Sequence, residues 1–153
     1  DTNKEFLRGE IGAEVEEYSD AELTDLGTFC DLFPNMHPWG GWTRIAFRFR
    51  PNGDNHEECI FDVMLLAPWE EGKPKPPPAK VRVLKDGEAF SAASELMALA
   101  KIIDQDVYNL PRIQQGLKAK KEPYVWFSSY QEGKIRNFHR NYNAKLGLAP
   151  ADD

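Results

Sequence analysis

Cysteine is scarce in this chain: Cys30 and Cys59 are the only two among 153 residues, and neither has a CxxC or CxH partner beside it. Two such thiols build no disulfide framework, and without local ligand pairs they form neither a zinc site nor an iron–sulfur cluster within the chain. That usage fits a reducing cytoplasm. Long apolar runs are missing as well. No stretch approaches the ~18 consecutive apolar residues of a membrane-spanning helix, and the opening DTNKEFLRGE is charged where a secretory signal is apolar, so a soluble chain with no membrane contact is expected. Positive charge is not in excess: 19 basic residues face 25 acidic ones, a formal net charge of −6. A field of that sign repels phosphate backbones and argues against nucleic acid as a partner. Histidine occurs three times, at His37, His56 and His139, with no two close enough to form a local ligand pair. No internal repeat is present.

What is present is a hydrophobic content of 41% and an aromatic content of 12%, enough for one core in one domain. The chain opens on Asp1 rather than methionine, which points to a stretch of a longer polypeptide. Residues 1–27 are acidic and poorly periodic, with Glu14, Glu16, Glu17, Asp20, Glu22 and Asp25 among few large apolar groups, and read as a surface segment. Residues 28–147 form the folded body and 148–153 a tail. From Gly41 the pattern turns to period two, with Ile45, Phe47 and Phe49 on one face and Arg44, Arg48 and Arg50 mostly on the other. PNGDNHEE at 51–58 is turn chemistry, and CIFDVMLLA at 59–67 resumes as a strand, so the two runs are predicted to pair as an antiparallel hairpin.

Pro68 ends that strand, and the proline-rich EEGKPKPPPAK at 70–80 is an exposed loop because its prolines lack the N–H that a ladder needs. VRVL at 81–84 and Tyr124 to Ser128 read as short strands. Ser91 to Lys118 reads as helix with Leu96, Leu99, Ile103, Leu110, Ile113 and Leu117 near one stripe, and Pro111 predicts a kink or brief break around Asn109 to Pro111. A C-terminal helix is expected over roughly Tyr130 to Leu146, stopped by Gly147. The sum is an α+β domain in which an antiparallel sheet wraps around at least one long helix.

Asp106 stands out, three residues after Ile103 and four before Leu110, on or beside the apolar stripe. A carboxylate buried there must be paired, protonated or bound to a metal. The same spacing also allows the stripe to bend at Pro111 and let Asp106 reach solvent.

The segment IIDQDVYNLPRIQQGLKA at 102–119, followed by SSYQEGKIRNFHRNYNAKL at 128–146, resembles the end of the catalytic domain in α subunits of Rieske non-haem iron ring-hydroxylating oxygenases. LFPNMHPWGGWTRIAFRFRPNG at 32–53, with MLLAP at 64–68, is similar to that family's strand pair, so the resemblance covers about Leu32 to Leu146. It implies a helix-grip fold, in which a curved antiparallel sheet is wrapped around a long C-terminal helix. The activity implied is oxidation of an aromatic or other hydrophobic substrate by dioxygen at a mononuclear Fe(II). Two histidines and one carboxylate hold the metal in that family. By resemblance Asp106 matches the carboxylate, with Asp104 as the nearby rival. By the same resemblance the two imidazoles and the [2Fe-2S] Rieske cluster lie upstream in the parent protein; a lone carboxylate does not hold Fe(II) firmly, so on this reading the iron site of the chain by itself is incomplete. Electrons would arrive from a ferredoxin or reductase, and the parent enzyme would be a trimer.

Trp39, Trp42, Phe47, Phe49, Met64, Leu66, Leu99 and Ile103 are the candidate lining of a substrate pocket; residues of these types also make plain core. Phe33 belongs with them on residue type alone. His37 either lines that pocket or serves structure, His56 falls in the predicted hairpin turn as a surface residue, and His139 reads as structural. Lys118, Lys120, Lys121, Lys134, Arg136, Arg140 and Lys145 give the C-terminal third a basic surface, useful for solubility or for docking an electron donor. Two other functional classes stay open: a metal-free hydrophobic-ligand-binding module of the same fold, and a fragment whose main task is subunit assembly.

Overall fold

The computed structural model describes residues 4–5, 8–9, 12–24, 30–39, 44–66, 72, 74–122 and 124–148. Within the acidic N-terminal segment, Gly12–Glu17 forms a 3₁₀ turn and Asp20–Thr24 a short helix, α1. A capping box starts α1: the Ser19 hydroxyl accepts the Glu22 N–H at 3.3 Å while the Glu22 carboxylate accepts the Ser19 N–H at 2.8 Å. That reciprocal pair satisfies two donors a helix start leaves open, and its S-x-x-E signature stands in the sequence as Ser19-Asp20-Ala21-Glu22. Val15 is fully buried in this segment.

Three antiparallel strands follow in sequence order: β1, Met36–Pro38; β2, Ile45–Asn52; and β3, Asn55–Leu65. The predicted hairpin is β2 and β3, paired from Ile45 opposite Leu65 through Phe49 opposite Phe61 to Asn52 opposite Asn55. Both strands run further than turn composition suggested, leaving Gly53 and Asp54 as the turn. Gly53 takes φ 59°, the positive sign that a two-residue hairpin loop requires there. His56 consequently lies in β3 rather than in the turn, and is exposed. β1 adds a third strand, with His37 opposite Phe47. Asn35 fastens the turn before it, its backbone carbonyl accepting the Phe49 N–H at 2.9 Å and its side-chain amide donating to the Phe49 carbonyl at 2.7 Å.

Opposed residues of an antiparallel pair share a face. One face therefore carries His37, Ile45, Phe47, Phe49, Phe61, Val63 and Leu65, and the other carries Ala46, Arg48, Arg50, Ile60, Asp62 and Met64. The start of the predicted first strand at Gly41 lies outside the described residues.

By compactness the chain forms two units, Asp1–Pro76 with Phe127–Asp153, and Pro77–Trp126, a division that runs through the 28–147 body. In the second unit the long helix α2, Leu99–Ala119, is shorter than predicted at its start. Residues 90–92 and 94–96 are 3₁₀ turns instead, and Met97 at φ 50° breaks the helical path before Leu99. The predicted break at Pro111 is absent: α2 is continuous through it. Proline removes one i→i−4 bond, and the next residue, Arg112, folds its guanidinium over the Tyr108 ring at 3.4 Å from the centroid and donates to the Tyr108 carbonyl. Ala93, Leu96, Ala100 and Ile103 form the buried core of this unit.

Neither VRVL nor Tyr124 to Ser128 is a strand. No described backbone pairs with either, and Val81 and Val83 are 82% and 83% exposed. Arg82 is held instead by Glu95 at 3.2 Å and by the Ala92 carbonyl at 2.6 Å.

The C-terminal helix α3, Gly133–Leu146, belongs to the first unit with the sheet. It ends at Gly147, where φ is 69° and the Leu148 N–H returns to the Asn143 carbonyl at 2.9 Å, the left-handed stop glycine permits. Its Phe138 meets Phe33 at 5.6 Å between ring centroids. An antiparallel sheet with a long helix is the α+β, helix-grip class. Among the described residues no helix is long and apolar enough to cross a membrane.

Candidate active site

The predicted site residues fall into two groups, one in each unit. In the second unit, Asp104 and Asp106 lie two residues apart on α2 and do different work. Asp104 accepts the backbone N–H of Phe90 at 2.6 Å and that of Ser91 at 3.1 Å. It thereby supplies acceptors to a 3₁₀ turn whose leading donors have no helical partner. The Ser91 hydroxyl, with these two N–H groups, holds its carboxyl below the usual range. Asp106 is exposed and has no hydrogen bond or ion pair among the described residues. The burial that would have obliged Asp106 to find a partner or a metal is therefore absent, and of the two spacings allowed by the stripe the one that lets Asp106 reach solvent is found. Of the pocket candidates on this helix, Ile103 is 2% exposed and packs in the unit's own core, while Leu99 is half-buried.

In the first unit the sheet gathers a continuous row of rings. Trp39 meets Phe47 edge-on at 6.0 Å, Phe47 meets Phe61 at 5.3 Å, and Phe61 stacks on Phe49 at 4.7 Å with the planes 3° apart. His37 closes the row, edge-on to Phe49 at 5.7 Å. These side chains are half-buried. Two of the predicted lining residues do not belong here. Met64 is opposite Ala46, on the far face from Phe47, because a strand sends successive side chains to opposite sides and Met64 is odd in step with Val63. Leu66 lies beyond the end of β3 and is 53% exposed. Trp42 lies outside the described residues.

Two carboxylates in this unit escaped the sequence reading. Asp31 accepts from the imidazole of His37, with Nδ1 2.8 Å from Oδ1. Leu32 bridges Met36, so the same antiparallel step sets Asp31 opposite His37, a pairing concealed in DLFPNMH until the turn is known. Asp62 was legible from alternation alone, since it shares its strand parity with the face that carries the arginines. Its carboxylate accepts from Arg50 at 2.7 and 3.0 Å and from Arg48 at 2.9 Å. These bonds, Arg50's first, hold its carboxyl at about 2 despite some desolvation.

His139 is exposed, stacks on Phe127 at 5.4 Å and meets Phe138 edge-on at 5.5 Å. Among the basic residues, Arg136 donates to the Ser128 and Ser129 carbonyls, the latter at 2.8 Å, and Lys120 donates to the Tyr124 carbonyl at 2.8 Å. Those two cations fasten the segments that precede α3 and follow α2. Among the described residues no three histidine, cysteine, aspartate or glutamate side chains gather into a metal-holding group. The described residues therefore do not compose a complete iron centre, and Asp106 contributes one ligand at most.

No curated protein and no solved structure matches the chain. A family model does: the ring hydroxylating alpha subunit (catalytic domain), over residues 2–148. A match over nearly the whole length, on a chain whose sheet and long helix have the α+β architecture of that domain, establishes that this protein belongs to the ring-hydroxylating α-subunit catalytic-domain family.

Proposed function

We infer that the chain is the C-terminal part of an oxygenase catalytic domain that oxidises an aromatic or other hydrophobic substrate with dioxygen at a mononuclear non-haem iron. The family match over residues 2–148 carries this reading. Asp106 is the chain's own metal ligand in it. Support comes from the contrast within α2, where the Asp104 carboxylate is engaged by Phe90 and Ser91 and Asp106 has no such tie. Two imidazoles from elsewhere in a longer polypeptide would complete a facial set. The ring row of Trp39, Phe47, Phe49 and Phe61 would bind and orient an apolar substrate, since aromatic surfaces supply large contact area with preferred geometry. Electrons would come from a reductase or ferredoxin through a [2Fe-2S] cluster of the parent enzyme, which would assemble as a trimer.

The test compares the protein expressed from its complete reading frame with two variants. Wild type and Asp104→Asn are expected to retain iron, and Asp106→Asn to lose it together with substrate-dependent dioxygen uptake. Undiminished iron in Asp106→Asn overturns the assignment. A second reading, a metal-free binder of hydrophobic ligands, draws on the same ring row, which needs no metal to hold an apolar molecule. Tight ligand binding that is insensitive to chelator, with no dioxygen uptake, selects that reading.

A further inference from the structure

Among the described members of the aromatic row His37 is the ring that can accept a hydrogen bond, and its surroundings shape what it offers. The carboxylate of Asp31 only accepts hydrogen bonds, so at 2.8 Å it holds the proton on Nδ1 of the imidazole. Whenever the ring is neutral, this contact selects the tautomer whose Nε2 is a bare acceptor. Nε2 makes no hydrogen bond with any described residue. The His37 side chain is 27% exposed and that of Asp31 23%. On its other flank His37 is opposite Phe47 across the β1–β2 ladder and edge-on to Phe49. A row of ring faces thus ends in a single oriented acceptor.

We propose that His37 is a specificity-determining residue that accepts a hydrogen bond from a hydroxyl group on an aromatic ligand lying along Phe47, Phe49 and Phe61, with Asp31 as its positioning residue. The proposal rests on the reading of this chain as a binder of aromatic substrates and narrows that class to hydroxyl-bearing rings. Rings without a donor gain the same stacking but leave Nε2 unpaired. A purely structural Asp31–His37 pair would tie the turn to β1 equally well and would be indifferent to the ligand's hydroxyl.

The experiment titrates the protein expressed from its complete reading frame with naphthalene and with 2-naphthol by NMR and follows the ratio of the two dissociation constants. Replacing His37 by phenylalanine keeps a ring and removes the acceptor, and is expected to shift the ratio about five- to tenfold against 2-naphthol, the range of one hydrogen bond. Asp31→Ala should shift it in the same direction and Asp31→Asn should restore it, because the amide oxygen still accepts from Nδ1. In wild type the ¹⁵N signals of the imidazole should report a protonated Nδ1, and only 2-naphthol should move Nε2. These Asp31 variants keep the His37 ring in place, so the proposal stays testable if His37→Phe does not fold. An unchanged ratio across the variants, with naphthalene still bound, overturns the proposal and leaves aromatic binding intact. Failure of both probes to bind wild type overturns the aromatic-substrate reading and this proposal with it.

Discussion

Asp62 gives the sheet a measurable dependence on pH. In Asp62→Asn the carboxylate that accepts from Arg48 and Arg50 becomes a neutral amide, and two guanidiniums on one face of β2 lose their counter-charge. The folded carboxyl is lowered from 3.8 to about 2, and at about 1.4 kcal/mol per pH unit the ceiling on this contribution is about 2 kcal/mol. Both guanidiniums are 43% exposed, so solvent screening brings the expected loss to about 1 kcal/mol at neutral pH. The sign follows from the direction of the shift. A carboxyl lowered on folding stabilises fully above its unfolded pKa of about 3.9, and that contribution disappears as pH falls through the folded value. Urea unfolding followed by circular dichroism, at pH 7 and at steps from pH 5 to pH 2, is the assay. Wild type should exceed Asp62→Asn by about 1 kcal/mol at pH 7, and the gap should close towards pH 2. Other carboxylates affect both proteins alike and drop out of the difference. A gap that keeps its size at pH 2, or none at pH 7, refutes the reasoning.

Two further substitutions test the fold where it is tightest. Ile103→Ala removes one of the two large side chains from the small core of the second unit, where Ile103 is 2% exposed. It should cost about 2–4 kcal/mol in chemical unfolding, and a loss below about 1 kcal/mol would mean that the core is not consolidated. Gly147→Ala puts a Cβ on a residue at φ 69°. It should cost about 1 kcal/mol and speed amide exchange at Leu148, which donates to the Asn143 carbonyl.

What could be read in the sequence was local. Alternation identified β2 and β3 as a pair, and Gly147 marked the end of α3, because period-two patterning and a glycine stop are written within a few residues. Apolar spacing located α2 but misplaced its start. The segment before Leu99 has helical composition, yet Asp104 captures the N–H groups of Phe90 and Ser91 from fourteen and thirteen residues away, and no local rule anticipates that competition. Pro111 was read as a break because proline is costly inside a helix; Arg112, curled back on Tyr108, lies where the disturbance was expected. VRVL has the composition of a strand but no neighbour to pair with among the described residues. For the site, spacing and resemblance singled out Asp106 and Asp104 together, and only coordinates distinguish the one held by backbone amides from the one in solvent. Met64 was misassigned by residue type, whereas parity against Phe47 and Phe49 would have put it on the other face once the turn length was known. Asp31 depended on a turn whose register the sequence does not announce.

The exposed stretch around Val81 and Val83 has a practical consequence for handling the protein. Two β-branched side chains alternate along a backbone with open donors and acceptors, the profile of a template on which another chain can grow a sheet. Its flanks work against that. Pro74, Pro76, Pro77 and Pro78 precede it and, lacking N–H groups, interrupt any ladder spreading from that side, while Lys80 and Lys85 bracket it with like charge. Lysine and proline thus act as gatekeepers, and replacing them with apolar residues would turn a tolerated edge into a nucleus for aggregation.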